Sequence, residues 1–138
     1  MKKIGIWLDM DKAYIVTIED TTETLVKIDS NVEHFHEQGN FGKRIKRNPL
    51  NVIKESNLLE REKQQLKAFF KDIVAHINDT DALVIFGPAE AYEKFSRELH
   101  ENYKQLSAKV KGVKRADSMT DNQVKAWVRD FFARDITT

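Results

Sequence analysis

Hydrophobic positions alternate with period two through the first third of the chain and then change to helical spacing. Ile4, Ile6 and Leu8 fall on one face of a first strand, Tyr14, Val16 and Ile18 on one face of a second, and Val26 and Ile28 on one face of a third. The polar connections Asp9-Met10-Asp11-Lys12 and Asp20-Thr21-Thr22 are of the length that joins antiparallel neighbours, so the pattern predicts a three-strand meander. Leu66, Phe69, Phe70, Ile73, Val74 and Ile77 then mark one face of a long amphipathic helix, with Asn57 and Glu60 as its cap and first-turn acid. Ala82 to Phe86 is an unbroken apolar run that reads as a strand buried on both faces. Gly87-Pro88 closes it with a tight turn that sets proline at the first position of a second helix, whose Ala91, Phe95 and Leu99 point inward. Lys109 to Arg115 has the length of a short strand, with Val110 between charged neighbours. Thr120 followed by Gln123 is a capping-box pattern opening a last helix with Val124, Trp127, Val128, Phe131 and Phe132.

Three strands followed by helix, strand, helix, strand, helix leave few topologies. Right-handed crossovers make the last two strands parallel, and a fourth strand set beside the first completes a five-stranded mixed sheet with helices on its faces. The expected fold class is α/β, with an antiparallel meander and then αβαβα, which is the ribonuclease H-like topology. A chain of 138 residues is expected to form a single domain, residues 1–138, around one core. One long irregular stretch, Ser30 to Ser56, is inserted between the third strand and the first helix and is punctuated by Gly39, Gly42 and Pro49. Loops of that length in compact domains are usually functional or disordered.

Composition changes this picture in three ways. With 41% hydrophobic and 33% charged residues the chain belongs with folded proteins, not disordered ones. Without cysteine, disulfides and thiolate zinc sites are excluded, and a reducing cytoplasm fits; Asp9 interrupts the first apolar stretch too early for a signal peptide or a membrane span. The formal charge of +1 conceals a segregation. Lys43, Arg44, Lys46, Arg47 and Lys54 are the only ionised side chains between Gln38 and Lys54, and Lys104, Lys109, Lys111, Lys114 and Arg115 the only ones between Tyr103 and Ala116. Setting these ten aside leaves 13 Lys and Arg against 22 Asp and Glu, a net −9 for the remainder. Such segregation is the footprint of a basic surface offered to phosphates, the plainer reading being two solvated basic loops that never meet.

A succession of short motifs carries a family resemblance: Ile6-Trp7-Leu8-Asp9, Ala13, Val32-Glu33-His34-Phe35-His36, Phe86-Gly87-Pro88-Ala89-Glu90, Val110-Lys111-Gly112-Val113 and Thr120-Asp121-Asn122-Gln123. In this order the chain resembles small bacterial proteins similar to the middle domain of the archaeal and eukaryotic peptide-chain release factor and of Pelota, in the ribonuclease H-like translational machinery superfamily. The resemblance implies a ribosome-binding protein with ribosomal RNA or tRNA as partner. In release factors the loop after the third strand carries the Gly-Gly-Gln tripeptide that helps water attack the peptidyl-tRNA ester. The corresponding stretch here, His34 to Arg44, has no such tripeptide: Gly39 and Gly42 are separated, and Gln38 precedes a glycine instead of following a pair. The departure argues against release activity, and Pelota-like proteins, which also lack the tripeptide, act in ribosome rescue. A chain this short is also expected to have no room for the domains that flank the middle domain in those proteins.

Candidate chemistry follows from these stretches. Lys43, Arg44, Lys46 and Arg47 beside Phe41, Gly39 and Gly42 would set cations and a ring against an RNA backbone, joined by His34, His36, Gln38, Lys109 and Lys111. His34 and His36 point the same way on an extended segment and with Glu33 or Glu37 would suit a divalent metal, but no clear third ligand is present, so neither metal nor cofactor is expected. A two-metal nuclease is the second class this fold admits, with Asp9 near the end of the first strand; no carboxylate ends the fourth strand, Asp117 and Asp130 are not placed by any motif, and the turn cap with Asp11 is the better reading of Asp9. Gly87-Pro88 could offer N–H groups to an anion or be a simple turn. Trp127 and Phe131-Phe132 read as core, or as a partner-docking face where a ring is exposed, rather than as a base-stacking platform, and a protein-interaction module is the third class.

Overall fold

A computed structural model describes residues 1–32 and 49–136, with side chains described for 1–32 and 60–134. Its elements are β1 (Lys2–Leu8), β2 (Lys12–Glu19), β3 (Thr22–Asp29), α1 (Pro49–Ala75), β4 (Ala82–Gly87), α2 (Ala91–Asn102), the single-turn α3 (Lys104–Ser107), β5 (Val110–Arg115) and α4 (Asp121–Ile136). The predicted meander forms because both connections have turn chemistry. Asp9 Oδ1 accepts the N–H groups of Asp11 and Lys12 at 2.8 and 2.9 Å, and Asp20 adopts φ 55° beside the paired residues Glu19 and Thr22.

The sheet order is β3-β2-β1-β4-β5. β2 runs antiparallel to both of its neighbours, whereas β1, β4 and β5 are mutually parallel, giving the expected five-stranded mixed sheet. The carboxyl ends of β1, β3, β4 and β5 therefore share one edge of the sheet. Hydrogen bonds bind that edge together: Ser30 N donates to Asp11 O, Ser30 Oγ to Met10 O, Ala116 N to Gly87 O, and Trp7 Nε1 to Asp117 O.

Strand alternation divides the core in two. Ile4, Ile6 and Leu8 meet Phe69, Ile73, Phe95 and Leu99 of α1 and α2 on one face. Trp7, Val16, Val84 and Phe86 meet Val124, Val128 and Phe132 of α4 on the other. β4, central in both layers, is buried along its whole length, as its unbroken apolar run requires.

Three expectations need correction. α1 begins at Pro49, so Asn57 lies inside the helix instead of capping it; residues 50–65 contain neither glycine nor proline, and nothing stops a helix from propagating back to the proline that opens it. The stretch from Ser30 to Ser56 is accordingly not one irregular loop: 49–56 are helical, and Ser30 and Val32 are buried at its start, where Val32 N donates to Ser30 Oγ and Asn31 takes φ 56°. Pro88 does not open α2. The strand runs through Gly87, so the chain uses Pro88 to Glu90 to turn, and Ala91 is the first helical residue. The helical turn α3 was not anticipated; on β3, Ile28 packs against the core while Val26 on the same face remains exposed.

Candidate nucleic-acid interface

β5 is an edge strand, paired with β4 on one side only. Leu83 pairs with Val110 and Val84 with Gly112, so Lys111 is the extra residue of a bulge, a device that blunts exposed edges and re-aims side chains. Beyond the bulge Gly112 lies beneath α4, where a Cβ would come within 2.9 Å of Phe131 Cζ and 3.6 Å of Lys114 Cε. Glycine at this position lets a ring lie directly on the strand backbone.

The capping box sets how α4 meets that strand. Thr120 N donates to Gln123 Oε1 at 2.9 Å and Gln123 N to Thr120 Oγ1 at 3.3 Å, the reciprocal pair its sequence predicts. Val124, Val128 and Phe132 face the core, Arg129 reaches across to Glu23 at 3.1 Å, and Trp127 and Phe131, one turn apart, face β4 and β5. Three rings then stand nearly parallel. Phe86, fully buried, stacks on Trp127 with centroids 3.8 Å apart and planes 11° apart, and Trp127 stacks on Phe131 at 5.7 Å and 5°. Trp127 and Phe131 are half-buried, so the series runs from the core to the surface.

At its outer end this series lies in a cleft of about 580 Å³ between β5 and α4, whose lining carries Lys111, Lys114, Arg115 and Arg134 against a single carboxylate, Asp130. Parallel strands ending beside a helix present their carboxyl ends to ligands in many α/β sheets, and Arg115 closes β5 at that edge.

The site residues named from sequence are thus distributed unevenly. Lys111 lies in the cleft, but Lys109 precedes β5 at the far end, and its Nζ donates to Thr80 O at 2.9 Å, tying the turn before β4. His34, His36, Gln38, Gly39, Phe41, Gly42, Lys43, Arg44, Lys46 and Arg47 lie outside the described residues. The Asp9 carboxylate is engaged by its own turn and lies 3.8 Å from Lys12 Nζ, and no group of three or more His, Asp or Glu with metal-binding geometry occurs among the described residues. No described helix is long and apolar enough to cross a membrane. From the sequence Trp127 and Phe131 read as core or docking rings and nothing singles out Arg134; their i, i+4, i+7 spacing places them on one helix face without telling which strand that face covers.

No protein-family model and no curated protein matches this sequence. Solved structures do match its fold. The crystal structure of the archaeal translation termination factor aRF1 aligns with a TM-score of 0.57 at 11% identity, over 92% of this chain and 33% of that one. Pelota from Archaeoglobus fulgidus aligns at 0.57 and 12% identity, over 96% and 31%, and Pelota from Thermoplasma acidophilum at 0.55 and 17%, over 94% and 32%. This chain spans about a third of the length of each of these proteins. At these identities the likeness is one of fold, and it is consistent with the resemblance to the middle domain of release factor and Pelota.

Proposed function

We propose that this protein is a cytoplasmic RNA-binding protein of the translation machinery, acting on the ribosome through ribosomal RNA or tRNA and without hydrolytic chemistry of its own. The observation that carries the reading is the cleft between β5 and α4, where four cations face one carboxylate, a local excess of positive charge on a chain whose formal net charge is only +1. A phosphate backbone is the polyanion such a surface favours, and the basic segment Lys43 to Arg47 would extend it. The fold shared with a translation termination factor supports the choice of a translation partner. Fold alone carries no activity, and the absence of Gly-Gly-Gln supports binding over ester hydrolysis.

Sedimentation of the tagged protein through a sucrose gradient of cell lysate tests this directly. Co-migration with ribosomal particles, lost at raised salt and weakened by Lys111→Ala with Lys114→Ala, is the expected result; a protein that stays at the top of the gradient at low salt would refute the ribosomal partner. Purified protein added to ribosomes carrying peptidyl-tRNA is expected to release no peptide above background. Release abolished by Gln38→Ala would establish the hydrolase reading instead.

A further inference from the structure

Cations alone account for attraction to phosphate, but not for the ring series beneath them. A ring whose plane is parallel to two others, the innermost locked in the core, is held in a fixed orientation; Phe86 anchors Trp127, and Trp127 orients Phe131. Gly112 adds a second constraint, since its lack of a side chain keeps Phe131 close to the strand. A core role for these rings would have been served by full burial, yet Trp127 and Phe131 open into the cleft beside Lys111 and Lys114. Aromatic faces fixed among cations are what unpaired bases stack on, whereas a duplex keeps its bases stacked on each other and offers only backbone.

The geometry points to Phe131, backed by Trp127, as a base-stacking platform, with Lys111, Lys114 and Arg115 engaging the phosphates that flank one unpaired nucleotide of a single-stranded RNA. A cleft of about 580 Å³ lies within the roughly 300–1,000 Å³ of small-ligand sites, so it accommodates a nucleotide. This inference rests on the RNA-binding reading above and narrows it from RNA in general to unstacked RNA.

The chain has two tryptophans, and Trp7 is 1% exposed, so a fluorescence change on adding RNA reports Trp127. The protein is titrated with a labelled single-stranded RNA oligonucleotide, with the same strand as a duplex, and with an acidic peptide containing phenylalanine. Quenching of tryptophan emission and label anisotropy are both followed. Single-stranded RNA is expected to quench and to bind more tightly than the duplex. Phe131→Leu, which keeps an apolar group over Gly112 but removes the ring, is expected to lower affinity for the single strand about tenfold while leaving the salt slope unchanged, because stacking releases no counterions. Trp127→Phe should retain binding and lose the quenching. Equal binding of single strand and duplex without quenching overturns the platform and leaves the RNA reading standing; quenching by the peptide with no binding of either RNA overturns both. Should Phe131→Leu not fold, the quenching and the strand preference of the unaltered protein decide the matter.

Discussion

Gly5 sits in the middle of β1 because α4 lies on it: a Cβ there would overlap both methyl groups of Val128. Gly5→Ala is therefore expected to lower stability by about 1–3 kcal/mol, the usual cost of overpacking a filled core. Combining it with Val128→Ala should recover part of that loss, since the two positions share one contact; denaturant unfolding of the four-member cycle measures the coupling. Strictly additive losses would mean that α4 already stands off the strand. Tyr14 is a second residue whose setting predicts a measurement. Burial, and then the charge and hydrogen bond of the Asp121 carboxylate, push its phenol above the ordinary value of about 10, with Asp9 and Asp29 adding smaller pushes the same way. A raised folded pKa means that this stabilisation is complete below pH 10 and is lost as pH rises from 10 through the folded value. Among the three tyrosines, absorbance titration should show a late component that disappears in Tyr14→Phe, and the variant should lose less stability on the alkaline side.

At the scale of elements, α4 is the helix most fully written in the sequence. Its capping box was readable from Thr120 and Gln123, and both hydrogen bonds are present. Thr120→Ala is expected to cost about 1 kcal/mol by removing the oxygen that satisfies the Gln123 N–H, which thermal or denaturant unfolding would resolve; no change would mean that the box is ornamental to a helix held by packing alone. α1 was legible only in part. Its apolar face from Leu66 marks where it meets the sheet, whereas its start at Pro49, 17 residues earlier, is not marked by that face. β5 was legible in length but not in detail. Its bulge at Lys111 depends on pairing with Val84, a residue far away in the chain, and no local pattern announces it.

For the whole molecule, charge is the property that propagates. β3 and β5 are the opposite edge strands of the sheet, separated by four strand spacings or roughly 19 Å, and the segment Lys43 to Arg47 lies outside the described residues. If both basic stretches serve one RNA, Arg44→Ala and Lys111→Ala should each weaken binding and each reduce the slope of log affinity against log salt by about one unit. Filter or anisotropy titrations at several salt concentrations read both quantities. A change confined to Lys111→Ala would leave the β5 cleft as the RNA surface and the segment Lys43 to Arg47 without a part in it.

The type and order of every element but the single-turn α3, and the two-sided burial of β4, were determined by the sequence alone, because they follow from local periodicity and from rules of chain connection that need no partner to be specified. So was the segregation of charge, which is a property of composition along the chain. What only the tertiary structure decided is adjacency: that β5 carries its bulge beside α4, that Gly112 lies under Phe131, and that Phe86, Trp127 and Phe131 align into one series opening among Lys111, Lys114 and Arg115. The physical reason is that helical spacing tells which residues share a face, whereas the neighbour that face meets is set by sheet order and register, and those are settled by contacts between residues distant in the chain.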